Sequence, residues 1–269
     1  MYVFGPYIVG ALVGSAHPRA YLSPLALAFA LFFLFPANLL IYGVNDICDY
    51  ETDALNLKKR GYELLVPPDE RRVLWRSIAL WCLPFAPLLA FVPRACWWAM
   101  VGFGFFSLFY SAPPIRAKAR PILDSIFNVL YIFPGAFGYF LCGGNKFSLQ
   151  LFFAAWAWAM AMHAYSAVPD IDADTQAKVP TVATFLGLRG TLVGCWALYL
   201  LAATLSFFAL GCLSVALALV YSLLMARSLK AGSQSGVMAI YRSFPLVNSL
   251  AGASLWWFAV WHKPTFWPF

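Results

Sequence analysis

The chain has 269 residues, 62% of them hydrophobic and only 11% charged, with a mean hydropathy of +0.75 and a formal net charge of +7. That balance excludes a water-soluble globule and defines a polytopic membrane protein. The positive charge is read as attraction to anionic lipid at an inner leaflet, not as a nucleic-acid footprint.

At about 20 apolar residues per crossing, nine spans are predicted near residues 2–16, 22–47, 73–92, 95–111, 122–141, 148–168, 189–209, 211–226 and 244–261. The apolar runs are continuous and lack period-2 alternation, so the predicted fold class is all-α, a helical bundle and not a transmembrane barrel. Residues 1–16 carry no basic n-region and run straight into the first span, so no cleavable signal is expected. The six cysteines form no Cys-x-x-Cys pair and no Cys/His cluster, and they read as small apolar packers.

Span 2 closes in Asn45-Asp46-Ile47-Cys48-Asp49-Tyr50-Glu51-Thr52-Asp53. At about 100° per residue, Asn38, Tyr42, Asp46, Asp49 and Asp53 fall within an arc of about 80°. Such a polar stripe on an otherwise apolar helix must face the bundle interior or a wet cavity. Lys58, Lys59 and Arg60 follow directly and are candidate anion ligands.

Span 4 leads into Tyr110-Ser111-Ala112-Pro113-Pro114-Ile115-Arg116-Ala117-Lys118-Ala119-Arg120-Pro121. The paired prolines forbid helix continuation and predict an extended segment that sets three cations at alternate positions, an anion cradle. The plainer reading is a charged cytoplasmic loop. On span 5, Asn128 and Tyr131 follow Asp124 at helical spacing, and Asn248 lies within span 9. These polar groups either line a cavity or make interhelical packing bonds.

Span 6 closes in Asp170-Ile171-Asp172-Ala173-Asp174. Helical geometry puts His163, Ser166, Asp170 and Asp174 on one side, with a kink expected at Pro169. His163 is read equally well as a satisfied core histidine. The abundant Trp and Phe are mostly lipid-facing or interfacial, and their faces can also stabilise a carbocation.

Numbering the loops by these spans puts Arg19, Arg94, Lys146 and Lys263 on one side and the other fourteen of the eighteen Lys and Arg on the opposite side. The positive-inside rule then places the loops after spans 2, 4, 6 and 8 in the cytoplasm of a plasma (inner) membrane protein, with the amino end inside and the carboxyl end outside. All eleven Asp and Glu fall on that cytoplasmic face, which orientation rules do not demand. Crowded carboxylates at membrane helix ends repel one another unless a cation joins them. Oxygen-only ligands of this kind suit Mg²⁺, which favours carboxylates plus substrate phosphate, so a diphosphate is the expected guest. Solvated helix caps are the alternative for any single aspartate.

Asn45-Asp46-x-x-Asp49-x-x-x-Asp53, then Tyr-Ser-x-Pro-Pro-x-Arg-x-Lys, then Asp170-x-x-x-Asp174, in that order over essentially the whole chain, resemble the UbiA superfamily of intramembrane prenyltransferases. The resemblance implies a pseudo-repeat of helices around a central cavity. It further implies two Mg²⁺ ions held by Asp46, Asp49, Asp53, Asp170 and Asp174, which form the catalytic set. An isoprenyl diphosphate donor would be bound through these ions with help from Asn45, Arg60, Arg116, Lys118 and Lys178. Asn38, Tyr42, Asn128, Tyr131, His163 and Ser166 would line the cavity.

Within the superfamily, Asp49-Tyr50-Glu51-Thr52-Asp53-Ala54-Leu55-Asn56 and Val168-Pro169-Asp170-Ile171 look most like the carotenoid-modifying branch. Its lycopene elongases add C5 units from dimethylallyl diphosphate to the ends of lycopene, a hydrophobic acceptor in the membrane. Relatives carry an Arg-Pro-containing segment before the first helix, whereas Met1 here already adjoins the apolar run, so a truncated start or an altered pocket edge is implied. Lys178 stands where a glycine is common.

Three other readings compete. The same chemistry serves an aromatic quinone precursor or a lipid headgroup as acceptor. A divalent-ion transporter is disfavoured because the acids sit at one end of the spans and not at the bilayer midplane. A CDP-alcohol phosphotransferase would need Asp-Gly where Asp49-Tyr50 stands.

Overall fold

The computed structural model describes residues 3–53 and 66–262, with residues 51–53 described by their backbone alone. In chain order the helices are α1 (Phe4–Gly14), α2 (Pro18–Tyr21), α3 (Pro24–Leu34), α4 (Pro36–Asp53), α5 (Arg71–Cys82), α6 (Arg94–Ser111), α7 (Leu123–Ile126), α8 (Phe133–Leu141), α9 (Leu149–Ala167), α10 (Ile171–Gln176), α11 (Val182–Leu210), α12 (Cys212–Ala231), α13 (Gln234–Tyr241) and α14 (Phe244–Trp261). No strand occurs among the described residues, so the all-α expectation holds. Among the described residues, five helical runs are long and apolar enough to cross a membrane: Pro24–Tyr50, Arg71–Phe91, Leu149–Gln176, Val182–Leu210 and Cys212–Ala231. Leu80, Leu83, Phe91 and Phe208 stand exposed on such helices, as lipid-facing side chains do.

The chain forms two compact units. One comprises Met1–Arg116, Leu130–Phe147 and Trp256–Phe269, the other Ala117–Val129 and Ser148–Leu255.

In the first unit, Ser23 caps α3 by accepting from the Ala26 amide, with Pro24 at the first helical position. The run read as one span over 22–47 is two abutting helices broken at Phe35, ahead of Pro36. Asn38 Nδ2 donates to the Phe33 and Leu34 carbonyls freed by that break, each at 3.0 Å. Tyr7, Phe33, Phe103 and Phe137 form a buried aromatic core, with Phe33 centroids 5.5 Å from Phe103 and 5.6 Å from Phe137. α1 lies against α8 with almost no side-chain spacer. A Cβ on Gly10 would collide with the Gly135 carbonyl, and one on Gly138 with that of Tyr7. After Cys82 the predicted third span tightens into 3₁₀ turns at Leu83–Phe85 and Pro87–Phe91, each carrying a proline.

The second unit is built on α9, α11 and α12, around Tyr165, Leu192, Cys195, Tyr199, Tyr221 and Met225. Tyr199 and Tyr221 stack at 4.2 Å, and the Tyr221 hydroxyl donates to Asn248 Oδ1 at 2.9 Å. Asn248 is thereby a packing residue. Thr181 and Thr184 form a capping box at the start of α11, and the helix is interrupted at Gly187, whose φ of 66° suits glycine.

Two stretches depart from the sequence expectation. Span 122–141 is α7, a 3₁₀ segment Phe127–Tyr131 and α8, instead of one helix. The segment after α6 is a turn followed by a 3₁₀ turn at Ala117–Ala119, not an extended strip, because Arg116 at φ 45° redirects the chain. A further helix, α13, fills the loop between spans 8 and 9, capped by Ser233.

Candidate functional site

α4 is continuous through Asp53, so Asn38, Tyr42, Asn45, Asp46 and Asp49 share one helix as expected. Its packed face carries Ala37, Ile41, Val44 and Ile47, and Asp49 is drawn in with them to 0% exposure. Asn45 and Asp46 are half-buried, while Tyr42 is exposed. The side chain of Asp53 and all of Lys58, Lys59 and Arg60 lie outside the described residues.

A fully buried carboxylate needs a cation or hydrogen-bond donors. Arg116 Nη2 donates to Asp49 Oδ1 at 3.3 Å. The Arg116 amide closes a turn onto the Ala112 carbonyl at 2.9 Å, and this turn aims the side chain back at α4. Arg116 Nε is buried with no hydrogen-bond partner among the described residues, so the guanidinium keeps donor capacity for an anion.

In the second unit, Pro169 interrupts α9 as expected. Val168–Asp170 is a 3₁₀ turn, and α10 follows with Asp174. Asp170 and Asp174 are half-buried. The Asp174 carbonyl accepts from the Val179 amide at 2.9 Å, and its Oδ2 accepts from the Thr181 hydroxyl at 3.5 Å. Lys178 is exposed, with φ 55°. It and Arg116 are two of the three described non-glycine residues with positive φ, the other being Ile122. Backbone strain of this kind gathers at functional sites, and both positions were singled out as anion ligands from sequence. Lys118 lies half-buried in the Ala117–Ala119 turn.

Sequence reasoning gave Asp124 no role, yet both of its carboxylate oxygens are hydrogen-bonded to main-chain amides. It is 1% exposed. Oδ1 accepts the Ser125 amide at 2.8 Å, and Oδ2 accepts the Val182 amide at 2.7 Å at the first residue of α11. A carboxylate at that helix start also complements the helix dipole. His163 Nε2 lies 3.8 Å from the same Oδ2, which makes the histidine a core partner of Asp124. Asn128, buried, donates to the Asp124 carbonyl at 2.7 Å, and the Ser166 hydroxyl donates to the His163 carbonyl at 2.7 Å, both local bonds. Tyr131 is half-buried and belongs to the first unit. The available signal was an acid inside an apolar segment with a Thr-x-x-Thr cap downstream. Among the described residues, no group of three or more His, Cys, Asp or Glu side chains is close enough to hold a metal ion by itself.

The family model of the UbiA prenyltransferase family matches residues 3–239. A lycopene elongase/hydratase of Haloarcula japonica is 38% identical over 97% of this chain and 87% of its own length, and one of Haloferax volcanii is 36% identical over 97% and 85%. The solved structure of a UbiA homolog from Archaeoglobus fulgidus bound to DMAPP and Mg²⁺ superposes with a TM-score of 0.62 at 20% identity, covering 97% of this chain and 94% of that one. The chain belongs to the UbiA prenyltransferase family, and is a membrane prenyltransferase.

Proposed function

We propose that this prenyltransferase moves an isoprenyl group from an allylic diphosphate, dimethylallyl diphosphate, to lycopene or a related carotenoid, in a Mg²⁺-dependent reaction at the cytoplasmic face of the inner membrane. The observation that carries this reading is the buried Asp49, on the helix bearing Asn45 and Asp46, held by an Arg116 whose Nε has no hydrogen-bond partner among the described residues. Curated relatives at 38% and 36% identity, named lycopene elongase/hydratase, support the acceptor.

The donor set fits Mg²⁺. All the acidic-motif ligands are oxygens, and this ion keeps several waters and needs only one or two carboxylates besides phosphate, so a three-residue protein cage is not required. Asp46, Asp49 and Asp53 would hold one ion and Asp170 and Asp174 another. When bound, Mg²⁺ supplies neutralisation of the charge growing on the departing diphosphate. Arg116 donates to a diphosphate oxygen through Nε, while Asp49 keeps the guanidinium in place. By the family resemblance, Lys178 and Lys118 would add positive charge to the diphosphate. The apolar surroundings keep bulk water from the allylic cation until an acceptor double bond attacks it.

The test is expression in lycopene-producing membranes supplied with dimethylallyl diphosphate and Mg²⁺. C45 and C50 carotenoids are expected, and they should disappear with Asp49→Ala. A prenylated aromatic or lipid product with lycopene untouched would transfer the assignment to another acceptor.

A further inference from the structure

Serines in apolar helices ordinarily spend their hydroxyl on a carbonyl one turn back, as Ser15 does on Ala11, Ser249 on Pro245 and Ser254 on Ala251. Ser107 and Ser111 on α6 do not. Both are 1% exposed, and the Oγ of each is buried with no hydrogen-bond partner among the described residues. Four residues apart, they share one helix face about 6 Å from each other, which a single water can bridge.

The register of α6 against α3 and α4 locates that face. One turn before Ser107, Phe103 meets Phe33 at 5.5 Å. Next to Ser111, Ala112 packs with Val44 and Ile47 of α4. The stretch of α6 between these anchors carries both serines, and the matching stretch of α4 carries Asn38. Asn38 Oδ1 is likewise buried without a partner, while its Nδ2 is committed to the helix break. Three buried oxygens with no partner among the described residues are costly if kept dry, and a water making two to four hydrogen bonds satisfies them.

We propose that Ser107, Ser111 and Asn38 form a water-binding site in the α4–α6 seam, and that its water is the one added to the product cation. This rests on the carotenoid prenylation proposed above. Ser111 ends α6, and the turn that brings the Arg116 amide back onto the carbonyl of the next residue, Ala112, keeps the seam adjacent to the guanidinium that marks the diphosphate end. A five-carbon donor held at that end is short, so its acceptor meets it beside this part of the seam. Attack of the acceptor double bond on the allylic carbon leaves a tertiary cation on the acceptor. A lone pair of the water oxygen forms a C–O bond to that carbon, and one water proton passes to the released diphosphate, giving a tertiary alcohol. Without water at that point, the cation loses a proton and yields an alkene instead. The relatives' name, elongase/hydratase, states both operations for them.

The experiment compares wild type with Ser107→Ala, Ser111→Ala and the double variant in lycopene-producing membranes, with dimethylallyl diphosphate, Mg²⁺ and ¹⁸O-labelled water. Wild type is expected to give hydroxylated product carrying ¹⁸O. The double variant should lower the ratio of alcohol to alkene at least 10-fold while total lycopene consumed stays within about 3-fold. Ser107→Cys, a near-isostere with a weaker donor, should give an intermediate ratio and serves if the double variant does not accumulate. An unchanged ratio in variants that still elongate overturns the proposal, as does a wild type that elongates without forming any alcohol. A wild type that leaves lycopene unprenylated overturns the carotenoid reading itself, so the two failures are distinguishable.

Discussion

Arg116 Nη2 stands 3.3 Å from Oδ1 of Asp49, a guanidinium half open to its surroundings bound to a carboxylate with no exposure at all. Replacing Arg116 by Gln removes both a partner of the buried Asp49 carboxylate and a donor to the leaving group, so transfer is expected to fall roughly 100-fold. Arg116→Lys restores the charge but not the fork, and should recover only part of that loss. Steady-state kinetics in membranes at fixed Mg²⁺ measure both. Equal rates for Arg116→Gln and wild type would remove Arg116 from the leaving-group site.

Chelation is expected to stop the reaction, and added Mg²⁺ to restore it, since every acidic-motif ligand offers oxygen alone. The readout is product formation before and after EDTA. Full turnover in excess chelator would leave the aspartate motifs without a metal role.

Asp124→Ala strands the Val182 amide in the second unit and leaves the Ser125 amide with the Ile122 carbonyl alone, and should lower stability by about 2 kcal/mol. Asp124→Asn keeps one acceptor oxygen and should lose less. Thermal unfolding in detergent reads the order wild type, Asn, Ala, and a melting temperature unmoved by Ala would count against the clamp.

Gly10→Ala and Gly138→Ala each push a methyl group into a backbone carbonyl of the facing helix. Each should cost about 1–3 kcal/mol, whereas Gly5→Ala, with nothing within 4 Å of the added carbon, should cost far less. The same unfolding assay compares the three.

Cys212 is the exposed cysteine, and the other five are buried or half-buried. With the amino end inside, the turn before α12 faces out, so a membrane-impermeant maleimide should label Cys212 in intact cells and fail on Cys212→Ser. Labelling that appears only after lysis would invert the proposed orientation.

Hydropathy alone made the membrane class and all-α fold legible, and the acids closing spans 2 and 6 pointed to α4 and α10 because charge at the end of an apolar run has few other uses. Pro169 announced its own break. The interruptions at Phe35, at Gly187 and over Phe127–Tyr131 were not legible, since apolar composition runs through them unchanged and hydropathy reports surroundings, not backbone angles. α13 escaped because its eight residues are too few to register as a span. Asp124 escaped for another reason: its partners are a nearby amide and one contributed by Val182, and a main-chain donor leaves no mark in a side-chain pattern. Asn38 read as a cavity residue and is largely a cap for the helix break, a pairing set by tertiary geometry.

The bond from Val182 to Asp124 spans 58 positions of chain. During synthesis the carboxylate is therefore made well before the amide that receives it, with α8 and α9 still to come. Until then water has to serve as its partner, since a buried carboxylate left unbonded is costly. The contact between residues 117–129 and α11 therefore closes only after the start of α11 has been made.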